Sequence, residues 1–132
     1  MNVIILLLAS DTVIREVMCN VLESEGYCVL AAHDIGSAVD WLKGCSPDLL
    51  IVRHDTQSIS GHDAAVYLRR KCPGIPVLLV GGLLDDVGLE NRERGQGFEI
   101  FPKPYEASEL LDKVKEVLVK RSVKNRSDTG ST

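Results

Sequence analysis

Pro47-Asp48-Leu49-Leu50-Ile51-Val52-Arg53-His54-Asp55, closed eight residues after Arg53 by Gly61, is the stretch that decides the fold. Four consecutive apolar residues behind Pro47-Asp48 predict a short strand buried on both faces, as in the interior of a parallel sheet. Ligands of open α/β sheets bind at the carboxyl ends of such strands. Arg53 stands at that end here.

Outward from this strand, the chain alternates apolar runs with helical stripes. Residues 3–8 form a first strand, and Ala9-Ser10-Asp11 is its exit loop. Ile14, Val17, Met18, Val21 and Leu22 recur at helical spacing, with Asp11 placed to cap the helix and Gly26 to end it. Residues 27–32 read as the second strand. Asp34 caps a second helix striped by Ile35, Ala38, Val39 and Leu42, which stops at Gly44. A short helix over 63–71 breaks at Pro73-Gly74, and strand four covers 75–80. Residues 83–95 carry Gly88 and no clean stripe, which predicts a short or irregular helix. Strand five covers 98–101. The last helix carries Leu110, Leu111, Val114, Val117 and Leu118 on one side. Five strands alternating with five helices predict a (βα)5 unit, a doubly wound parallel sheet with helices on both faces.

The 132 residues, 45% hydrophobic, suit one domain over residues 1–121. Residues 122–132 are polar and read as a disordered tail or the stub of a linker. A net charge of −4 gives no electrostatic reason to expect a nucleic-acid surface. The apolar start is too short to span a bilayer and lacks a basic flank, so no membrane role and a cytoplasmic location are expected. Cys19, Cys28, Cys45 and Cys72 lack metal or redox spacing, and the first three lie in or beside apolar segments. Reduced, mostly buried thiols are expected. His33, His54 and His62 show no ligand spacing, Trp41 reads as partial packing beside the second helix, and Lys120, Arg121, Lys124 and Arg126 read as a solvated helix end.

Pro47-Asp48, Gly61, Ile75-Pro76-Val77, Gly97 and Lys103-Pro104 together resemble the receiver domain of two-component response regulators, over about residues 2–120. The resemblance implies a flavodoxin-like (CheY-like) sheet in the order 2-1-3-4-5. It also implies a chemistry. Two acidic residues after strand one and an aspartate after strand three hold magnesium through oxygen. That aspartate accepts a phosphoryl group, and a lysine after strand five neutralises its charge. A Ser or Thr after strand four couples the phosphoryl group to an aromatic residue on strand five.

Laid on this sequence, the acidic pair falls on Ala9 and Ser10, with Asp11 just beyond, and the acceptor falls on Arg53. The Ser/Thr position is Gly81 and the aromatic position is Ile100; Lys103 alone keeps its type. A guanidinium neither forms an acyl phosphate nor ligates magnesium. The expectation is a degenerate, phosphorylation-independent receiver without magnesium or other cofactor, a regulatory module and not an enzyme.

The resemblance implies protein partners on the face made by the fourth helix, the fifth strand and the last helix, with Ile100 and Tyr105 as candidates. An output domain or a second copy would dock there. Two other readings stay open. Asp55, or Asp11, would serve as a non-standard phosphoacceptor; or Arg53 and Lys103 would form a small-anion or nucleotide site. Against the latter, Arg53 would replace the metal's charge by pairing with Asp11 or Asp55 and fix the loops in one state.

Overall fold

The computed structural model describes residues 3–53, 61–80, 99–101 and 107–130. Strands β1 (Ile4–Leu8), β2 (Cys28–Ala32), β3 (Leu49–Arg53), β4 (Val77–Val80) and β5 (Glu99–Phe101) form one parallel sheet in the order β2-β1-β3-β4-β5. Helices α1 (Thr12–Glu23), α2 (Ile35–Gly44), α3 (Gly61–Lys71) and the C-terminal helix (Ala107–Gly130) pack on its faces.

Alternation along the strands divides the core in two. Leu6, Leu8, Leu50, Val52 and Leu79 turn to one face, where α2 and α3 supply Ala38, Ala64, Ala65 and Leu68. Ile5, Leu7, Leu49, Ile51, Leu78 and Val80 turn to the other, against Met18 and Leu22 of α1 and Leu110, Val114 and Val117 of the C-terminal helix. Burial on both sides is why β1, β3 and β4 are apolar without a polar alternation.

Asp48 explains why Pro47-Asp48 precedes β3. Its carboxylate accepts the Ile4 N–H at 2.9 Å, and its own N–H donates to the Ile4 carbonyl at 2.7 Å. The pair fastens the start of β1 to the start of β3 and so sets their register, Ile5 opposite Leu49. Asp48→Ala strands the Ile4 N–H and is expected to cost about 1–3 kcal/mol in urea unfolding. A loss within about 0.5 kcal/mol, the range of an ordinary surface change, would show that water replaces the carboxylate.

Asp11 and Asp34 cap α1 and α2, accepting the N–H groups of Ile14 at 3.0 Å and Ser37 at 2.8 Å. Gly26 follows α1 at φ 91°, a left-handed conformation that favours glycine. Three details differ from the sequence reading. α3 begins at Gly61, two residues early, which puts Asp63 in its first turn, where a carboxylate suits the helix dipole. β4 begins at Val77 because Pro76 has no N–H to give the ladder; its carbonyl still accepts the Leu50 N–H at 3.0 Å. The C-terminal helix runs through residues 122–130, where a disordered tail or linker stub was expected. Its first half is nucleated by packing. Each further turn then needs only its own hydrogen bonds, and no proline interrupts them before Gly130.

The expected irregular helix over 83–95 lies outside the described residues. Among the described residues, no helix is long and apolar enough to cross a membrane. The four cysteines are free thiols. Cys19, Cys45 and Cys72 are half-buried, whereas Cys28 is exposed, because it opens the edge strand. Burial beside Glu23 raises the Cys19 thiol above its ordinary range, so it stays protonated at neutral pH.

Candidate functional site

The carboxyl ends of β1 and β3 lie side by side, Leu8 opposite Val52, and β4 brings Val80 opposite Arg53. This edge is therefore built from the β1–α1 connection, the end of β3 and the end of β4. Ala9 is fully buried, its N–H donating to the Ala32 carbonyl at 3.0 Å. Ser10 is half-buried. Asp11 faces solvent and uses Oδ1 to cap α1.

Arg53 is 6% exposed, the only buried charged side chain among the described residues. A second guanidinium reaches the same edge. Arg15 Nη1 donates to the Ala9 carbonyl at 2.9 Å and lies 3.4 Å from the Ser10 carbonyl. The β1–α1 connection is thus held by a permanent cation acting on its backbone oxygens. Sequence reasoning passed over Arg15. One signal was present: a cation at the end of a helix's first turn opposes the macrodipole, so it needs acceptors elsewhere.

The β2–α2 connection carries a different cluster. His33 Nε2 lies 3.3 Å from Asp34 Oδ2, and Ser37 Oγ lies 3.2 Å from His33 Nδ1. The Ser37 N–H on Asp34, helped by the Ser37 hydroxyl and His33, lowers the Asp34 carboxyl below its ordinary value. The imidazole is open to water and Asp34 is committed to the cap, so this cluster anchors a helix start.

Ile100 occupies the middle of β5, opposite Leu79. Asp55, Gly81, Lys103 and Tyr105 lie outside the described residues, as do the side chains of His54 and His62. Ala9, Ser10 and Arg53 are brought to one edge, with Asp11 at its rim.

The response regulator receiver domain family matches residues 5–115. This chain belongs to that family. The receiver domain is 30% identical over 119 residues to the phosphate regulon transcriptional regulatory protein PhoB of Escherichia coli, covering 86% of this chain and 51% of PhoB. It is 29% identical over 123 residues to the response regulator MprA of Mycobacterium tuberculosis, covering 89% of this chain and 51% of MprA. The receiver domain thus spans about half the length of these curated relatives. Among solved structures, a CheY-like receiver domain protein from Methanospirillum hungatei superposes with a TM-score of 0.84 at 22% identity, covering 94% of this chain and 99% of that one. NtrX from Brucella abortus gives 0.86 at 20% identity, covering 98% of this chain and 29% of NtrX. These likenesses establish the CheY-like parallel α/β fold.

Proposed function

We propose that this receiver domain works without phosphorylation, as a regulatory protein-interaction module of two-component signalling in the cytoplasm. The observation that carries the proposal is the buried Arg53 guanidinium at the end of β3, where the family resemblance puts the acceptor carboxylate. Phosphoryl transfer needs a carboxylate oxygen to form the new bond to phosphorus while the donor's leaving group departs. A guanidinium offers no such oxygen.

Magnesium is not part of this proposal. The ion takes an octahedral set of oxygens. At the β1–α1 connection the resemblance places its acidic ligands on Ala9, which has no side-chain oxygen, and on Ser10, which has only a hydroxyl. The Ala9 and Ser10 carbonyls face Arg15, and Asp11 is engaged by Ile14. Arg15 and Arg53 together supply fixed positive charge where an active receiver would recruit it with a metal. The near-complete burial of Arg53 also supports a structural role over capture of an anion from solution together with Lys103.

Partners on the face of the fourth helix, β5 and the C-terminal helix, including Ile100 and Tyr105, follow from the resemblance. The names of the half-matching relatives, a transcriptional regulatory protein and a response regulator, support an output domain as one kind of partner. The reading predicts no gain of phosphoryl mass when the protein is incubated with acetyl phosphate and magnesium and its intact mass measured. A gain that disappears in Asp55→Asn or Asp11→Asn would replace it with a working receiver using a displaced acceptor.

A further inference from the structure

β2 is an edge strand of the sheet, and its sequence Cys28–Ala32 contains no charge and no proline, the usual protections of an exposed edge. The Cys28 N–H donates to the Val3 carbonyl at 2.9 Å, and the Ala32 carbonyl accepts the Ala9 N–H at 3.0 Å. Even-numbered residues therefore spend their backbone groups on β1, and the alternation of a parallel ladder turns those of Val29 and Ala31 outward. On the α1 side of this edge, Arg15, Glu16, Cys19, Asn20 and Ala31 line a shallow open depression. On the α2 side a side chain reaches it. The Trp41 indole N–H donates to the Ala31 carbonyl at 2.9 Å.

We propose that Trp41 guards the β2 edge against pairing with the β2 edge of a second copy of this chain. The second copy is the partner the edge fits because the outward groups are self-complementary about Val29. In an antiparallel pair with Val29 opposite Val29, the two valines exchange both hydrogen bonds, and each Ala31 meets the Tyr27 of the other copy. The Ala31 carbonyl is needed twice in that arrangement, once per copy. Trp41 already donates to it in both. Packing alone would not require this polar contact; an indole N–H seated on an outward strand carbonyl takes one of its two lone pairs and competes there with the N–H of an incoming strand.

The test replaces the N–H and keeps the shape. Trp41 is the only tryptophan, so benzothienylalanine incorporated for tryptophan changes this side chain alone, and Trp41→Phe serves as the genetically encoded counterpart. Sedimentation velocity across a concentration series, with amide hydrogen exchange at Val29, reads the outcome. The native chain is expected to show no association that protects the Val29 amide. Both variants are expected to double in sedimenting mass with concentration, with slowed exchange at Val29. Adding Cys28→Lys, at an exposed position opposite Leu30 of the other copy, should return them to the native behaviour by setting two lysines diagonally across the new pair, where like charges repel. The guard is refuted if the folded benzothienylalanine protein sediments like the native one, if its association leaves the Val29 amide unprotected, or if the native chain already pairs through this edge.

Discussion

Arg53→Asp alone is expected to leave the domain unlabelled by acetyl phosphate, whereas Ala9→Asp/Ser10→Asp/Arg53→Asp is expected to take up a phosphoryl group only with magnesium present. The single change supplies the oxygen nucleophile but leaves Asp11, engaged in capping α1, as the one carboxylate of the β1–α1 connection, so the metal that would neutralise the transferred group has too few ligands. The triple change supplies both at the edge where β1 and β3 end side by side. Intact mass with magnesium and with a chelator is the measurement, circular dichroism confirming that each variant is folded. Full labelling of the single variant would mean that other oxygens already build a metal site. A folded triple variant that stays unlabelled would mean that the obstacle is Arg15, whose guanidinium holds the carbonyls of that connection.

Ile51→Ala is expected to cost about 2–5 kcal/mol of unfolding free energy. The side chain is fully buried at the centre of β3, between Leu7 on β1 and Leu78 on β4, and faces the cluster that receives α1 and the C-terminal helix. The loss combines the transfer free energy of the removed atoms with a cavity that the two flanking strands cannot close. Against a typical total of about 5–15 kcal/mol, that is enough to move the urea midpoint markedly at unchanged slope. Val13→Ala, on the exposed side of α1 at 69% exposure, should stay within about 0.5 kcal/mol. Equal losses at the two positions would mean that the core is not divided as described.

Both expectations depend on how far local sequence reaches into the fold. The strand and helix order, the caps at Asp11 and Asp34 and the buried faces of β1 and β3 were legible in the chain, because each follows from side-chain period or from a hydrogen bond spanning three residues. The element limits were less so. Pro76 moved the start of β4, and the C-terminal helix outran its apolar stripe because propagation continues where nothing breaks it.

By itself the sequence determined the alternating α/β architecture, the arginine at the end of the third strand and Ala9 and Ser10 in place of an acidic pair after the first. Tertiary structure alone decided what three polar side chains do: Asp48 holds Ile4 across 44 residues, Arg15 turns back onto Ala9 and Ser10, and Trp41 closes the outer edge at Ala31. The reason is physical. Period and capping are properties of neighbours along the chain, whereas a long side chain finds its acceptor only after register and packing have placed a distant carbonyl or N–H within about 3 Å of it.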